Sequence, residues 1–120
     1  MGMKSWKQAR QGDVLLIRTS DEAPRADHPR AFVPLEDGRA VAAHGEVTGH
    51  RHCFPGEHVT LFRDASGGDA TAVVHELTNL LHEDANRGTG DHDPIPVAPG
   101  TLIVRRQLQY VRRRVERVVD

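Results

Sequence analysis

The sequence holds a single cysteine, Cys53, in 120 residues. One cysteine excludes an internal disulfide and any zinc site built from cysteine alone. Aromatic residues are also scarce: Trp6, Tyr110, Phe32, Phe54 and Phe62 are all there are. An aromatic stacking platform for single-stranded nucleic acid therefore has little to draw on. No apolar run approaches the roughly 18 residues that a membrane span requires. Met1 to Gln11 carries Lys4, Lys7 and Arg10 without the apolar stretch of a signal peptide. The formal net charge is only −1, so no global field draws the chain to nucleic acid or membrane. Nucleophile-elbow and phosphate-cradling patterns are missing too. These absences point to a cytoplasmic protein without a membrane partner. Its length predicts one domain over residues 1–120, with residues 1–11 as a flexible arm.

What is present is short, β-branched and punctuated by turns. Val14 to Thr19 reads as a buried strand after the Gly12-Asp13 turn. Ala31 to Pro34 reads as a short edge strand, since Pro34 cannot sit in a central one. Glu36-Asp37-Gly38-Arg39 has the Asp-Gly pair of a tight hairpin. Arg39 to His44, Val47 to Cys53, His58 to Arg63, Thr71 to Leu77 and Thr101 to Tyr110 follow as extended segments, and Leu80 begins another. The fold class expected is all-β, a small single-domain barrel or sandwich. The last residues leave two alternatives: Val111, Val115, Val118 and Val119 fit a short C-terminal helix and also a final strand.

Histidine is abundant, with eight residues, and it is concentrated in an acidic stretch. His50 and His52 lie two apart, so an extended strand presents both imidazoles on one face. Such a pair suits a metal ion. Glu57 follows the Pro55-Gly56 turn, and His82 and His92 bracket a polar loop farther on. These five residues are the candidate metal ligands. Glu83, Asp84, Asp91 and Asp93 are candidates to orient the rings. His28, His44, His58 and His75 read as structural or exposed. Cys53 points away from the imidazoles on a regular strand and reads as a core thiol.

The segment resembles the first motif of the cupins, in which a glycine precedes His-x-His and a glutamate follows. Gly45, His50, His52 and Glu57 carry that likeness, and Pro99-Gly100 with Gln107 resembles the second motif. The resemblance implies a jelly-roll β-barrel holding one divalent metal. Gly45 is one residue closer to the first histidine than in the family, and the later glycine, Gly67, is displaced. Ile103 stands where the third metal histidine belongs, so His82 or His92 would have to supply it. The stretch Gly45-Glu46-Val47-Thr48-Gly49-His50-Arg51-His52 is also similar to one in small bacterial and phage-encoded proteins, a likeness that implies no activity.

Three functions follow as alternatives. The first is a metal-binding protein, with Zn, Fe, Ni, Mn or Cu as the ion. An open coordination position would permit hydrolase, lyase, isomerase or oxygenase chemistry on a small-molecule substrate. The second is a non-catalytic binding or assembly module, with homodimer formation through strand edges. The third is nucleic-acid binding through Arg105, Arg106, Arg112, Arg113, Arg114 and Arg117, which crowd the basic end of the chain.

Overall fold

A computed structural model describes residues 6–24, 32–44, 50–63, 69–84 and 93–106, together with the backbone of 108–111 and 114–117. Among these residues there is no helix, and so none long and apolar enough to cross a membrane. The strands are β1 (Gln8–Gln11), β2 (Val14–Ser20), β3 (Arg39–His44), β4 (His50–Pro55), β5 (Val59–Arg63), β6 (Ala70–Val74), β7 (Thr78–Asp84), β8 (Ile95–Val97), β9 (Gly100–Arg106), β10 (Leu108–Val111) and β11 (Arg114–Arg117).

Every pairing of these strands among the described residues is antiparallel. One sheet has the order β1-β2-β9-β6-β5, the other β3-β4-β7-β8, and β10-β11 form a separate hairpin. The all-β class expected from the sequence is what the chain adopts, as a small β sandwich. Alternation builds its core. Val14 and Leu16 of β2, Leu102 and Val104 of β9, and Ala70, Ala72 and Val74 of β6 pack with Ala40, Phe54, Leu80 and Val97 of the other sheet. In β2, β6 and β9 these are every second residue, which is the period a two-faced sheet imposes. Among the described residues Phe54 is the largest fully buried side chain.

Tight turns fix the register. Asp37 and Gly38 both have positive φ, 51° and 75°, and Glu36 and Arg39 exchange two backbone hydrogen bonds across them. That is a type I′ hairpin, the turn whose twist suits antiparallel strands. Gly12, at φ 57°, opens the two-residue link between β1 and β2. Between Val41 and Ala43 the β3–β4 register shifts by a bulge, so Val41 pairs with Cys53 and Ala43 with His52.

Three details depart from the sequence reading. Residues 8–11, expected within an arm, form β1 against β2, because Gln8 to Gln11 pair with Ile17 to Val14. The C-terminal helix alternative gives way to the strand alternative: Leu108 to Val111 pair with Arg117 to Arg114. Valine's stiff β-branched side chain favours the extended form there. Phe32 makes only an isolated bridge to Phe62, where an edge strand was expected.

Candidate metal centre

The register of β4 against β7 builds the site. His50 stands opposite Asp84 and His52 opposite His82. Directly opposed antiparallel residues share a sheet face, so three imidazoles and a carboxylate line one face of two strands. That face is the inner one. His52 is fully buried, and His82 and Asp84 are buried as well. The His52 and His82 rings stack with centroids 4.6 Å apart and planes 29° apart. His50 meets the His82 ring edge-on at 5.4 Å.

The second wall comes from the other sheet. Gln11 ends β1, Asp13 lies in the turn that follows, and Arg106 ends β9. Gln11 and Asp13 are buried. The Gln11 amide nitrogen donates to the carbonyls of Leu80 and Asp93, each at 3.0 Å. Its amide oxygen, 2.8 Å from His52 Nδ1, therefore serves as acceptor. That arrangement puts a proton on Nδ1 and makes Nε2 the nitrogen with a lone pair in the neutral ring. Nε2 faces Asp13 Oδ1 at 3.5 Å. The other Asp13 oxygen accepts from Arg106 Nε at 2.7 Å. His50 Nε2 lies 3.3 Å from Asp84 Oδ2, while its buried Nδ1 has no hydrogen-bond partner among the described residues.

The donor set fits a divalent ion in kind. Metal-bound imidazoles characteristically give their second ring nitrogen to a carboxylate or carbonyl. Here His50 has Asp84 and His52 has Gln11 in that position. The rings as they stand are stacked, however, and among the described residues no three His, Cys, Asp or Glu side chains form a ready coordination group.

Of the five candidate ligands, His50, His52 and His82 come together. Glu57 does not join them. Its side chain is exposed in the turn between β4 and β5, 3.7 Å from His58 Nε2. His92 lies outside the described residues, as do Gly45, Gly67 and Gln107. Ile103, the cupin third-ligand position, pairs with Ile17 and Thr71 and alternates with the buried Leu102 and Val104, so it faces away from the core. Gln11 and Asp13 were not singled out by sequence, and Arg106 was named only in the basic stripe. The Gly12-Asp13 signal marked a turn, and turn residues are ordinarily exposed.

The opposite face of the same two strands carries a separate cluster. Glu83 accepts from Arg39 through both carboxylate oxygens, each at 3.2 Å, and lies 3.4 Å from Arg51 Nη2. Burial alone would raise the Glu83 carboxyl. The hydrogen bonds from Arg39 and Cys53 and the nearby guanidinium charges overcome that and hold it below its ordinary value. Cys53 Sγ donates to Glu83 Oε1 at 3.0 Å. Burial, reinforced by the Glu83 carboxylate, pushes the thiol up to about 12.

Residues 10–107 match the family described as Domain of unknown function (DUF8820). The chain belongs to that family. The match spans β2 through β9 and so includes both walls of the histidine cluster. No curated protein and no solved structure matches the chain significantly.

Proposed function

We propose that this chain binds one divalent transition metal ion at the inner face of β4 and β7, with His50, His52 and His82 as imidazole ligands. The observation that carries this reading is the tethering of His50 to Asp84 and of His52 to Gln11. Each tether fixes one ring nitrogen, the way metal-bound imidazoles are oriented by a second partner. An imidazole set suits Zn, Fe, Ni or Cu, and an added carboxylate tilts the choice towards Mn or Fe. Within this reading the cupin likeness supplies the His50 and His52 pair, and the third imidazole comes from β7. Binding requires the stacked His52 and His82 rings to turn about their side-chain torsions. A bound ion would supply Lewis-acid chemistry or an activated water if one position stayed open.

The burial of His52, His82, Asp84 and Asp13 favours a closed, structural site over one open to substrate. This supports the non-catalytic module among the alternatives. Nucleic-acid binding has less support. Arg105 holds Asp69 at 2.8 Å and Arg106 holds Asp13, so two of the six arginines are engaged by carboxylates. A buried, unpartnered-by-disulfide thiol suits a cytoplasmic setting.

The test is elemental analysis of protein purified without chelator. The expected result is close to one metal per chain, lost in the His50→Ala/His52→Ala double variant. Less than about 0.2 metal per chain, unchanged in that variant and after dialysis against Zn²⁺ or Co²⁺, would reject the reading.

A further inference from the structure

We propose that two copies of this chain pair through the outer face of the five-stranded sheet, related by a two-fold axis along β9. The proposal does not depend on the metal reading, because the histidine cluster lies on an inner face. It begins with the residues that point outward. Val14 and Leu16 of β2, Leu102 and Val104 of β9, and Ala70, Ala72 and Val74 of β6 face the core. Alternation therefore turns Leu15, Ile17, Ile103 and Thr71 outward. The register joins them across the sheet. Ile17 stands opposite Ile103, Ile103 opposite Thr71, and Thr71 opposite Phe62. Phe32 bridges to Phe62 and meets its ring with centroids 4.9 Å apart.

This row is apolar on the side where an antiparallel sheet ordinarily shows polar side chains to water. Leu15, Ile17 and Ile103 are half-buried, and Phe32 is 50% exposed. Apolar residues exposed singly are normal, whereas a contiguous row marks an interaction surface.

Shape and charge both fit a second copy. In the order β1-β2-β9-β6-β5 the middle strand is β9. A two-fold axis along it lays β1 of one copy over β5 of the other, β2 over β6, and Ile103 on its own counterpart. With strands about 4.8 Å apart and about 3.4 Å per residue, the face covers roughly 500 Å². A pair then buries about 1,000 Å², the lower bound for a specific interface. The contact is isologous and closes at two copies.

The charges beside the row sit at one level of the sheet. Arg10 pairs with Leu15, and Leu15 with Arg105. Arg105 in turn donates to Asp69 at 2.8 Å, with both side chains partly exposed. Arg10 is exposed on β1, the edge strand. The same two-fold axis brings Arg10 of each copy beside Asp69 of the other. Each carboxylate is then flanked by its own Arg105 and by Arg10 from across the interface.

The experiment is sedimentation of the full chain across the micromolar range, with circular dichroism as the folding check. The unaltered protein should pass from monomer to dimer. Ile103→Lys should weaken the dimer by about tenfold or more, since it forces two ammonium groups into an apolar contact. The Ile17→Thr/Ile103→Thr double variant keeps β-branched residues in both strands and should weaken it too. Leu77→Lys, at an exposed leucine in the link between β6 and β7, should leave it intact. Arg10→Glu and Asp69→Lys should each dimerise less well alone, because like charges then face each other. Their equimolar mixture should recover the dimer, because both junctions between the two variants join opposite charges.

An unaltered protein that stays monomeric throughout would overturn the proposal. So would a dimer that tolerates both the lysine and the double threonine variant, which would place the contact on another surface such as a strand edge. A mixture no tighter than either charge variant alone would overturn the two-fold arrangement along β9.

Discussion

Replacing Glu83 by Gln tests the polar cluster on the outer face of β4 and β7. The substitution keeps the shape and removes the charge. Glu83 is hydrogen-bonded by Arg39, ion-paired with Arg51 and hydrogen-bonded by Cys53. Arg39 is about a third exposed, at 36%, so water screens its share, and that pair contributes about 0.5 kcal/mol. Arg51 is 13% exposed and Cys53 is buried, and a charged hydrogen-bonding group lost beside them costs about 1.5 kcal/mol more. The expected loss near neutral pH is thus about 2 kcal/mol, or a melting temperature lower by roughly 5–10 °C for a chain of this size.

The pH dependence follows from the lowered carboxyl. Above its ordinary value of 4.5, both the folded and the unfolded chain carry the charge, and the contribution is fully present. Below 4.5 the unfolded chain takes up the proton first. The contribution fades as pH falls through the lower folded value, and is gone beneath it. Protonated Glu83 is then nearly the same shape and charge as Gln. Urea melts of both proteins should therefore differ at pH 7 and converge in acid. Comparing the pair at each pH cancels whatever the two proteins share. A stability difference equal at both ends of the range, or none at pH 7, would refute the reasoning.

Cys53 should resist a maleimide or disulfide reagent at mildly alkaline pH in the native protein and label fully in denaturant, since burial and a thiol value near 12 suppress the thiolate; rapid native labelling, followed by mass spectrometry, would contradict its buried place. Gly56→Ala should lower stability by about 1–3 kcal/mol in chemical denaturation. A methyl group there would sit 2.6 Å from the Gly38 carbonyl, which the type I′ turn holds in place. A melting curve matching that of the unaltered protein would show that the turn yields.

The local pattern was legible wherever chemistry acts over a few neighbouring residues. Asp37-Gly38 announced its hairpin because only a few residues tolerate two successive positive φ angles. Val14 to Thr19 and Thr101 onward announced strands by branching and alternation. The same alternation put His50 and His52 on one face and Cys53 on the other. It also separates Asp84, beside His50, from its neighbour Glu83, which the sequence could only group together as acidic.

Partners distant along the chain were decided by the tertiary structure. Nothing near His52 indicates that His82 will be its cross-strand neighbour, because register depends on how all the strands share one core. Nothing in Gly12-Asp13 indicates a buried carboxylate. That turn reads as solvent-facing until the β1–β2 hairpin is laid against β9 and the second sheet closes over it. The sequence by itself determined most of the central strands, the tight turns and the paired imidazoles, since these follow from steric and pleat rules local to the chain. The folding of two sheets onto each other decided which carboxylates, amide and guanidinium those imidazoles would meet, since only long-range packing brings residue 13 to within 3.5 Å of residue 52.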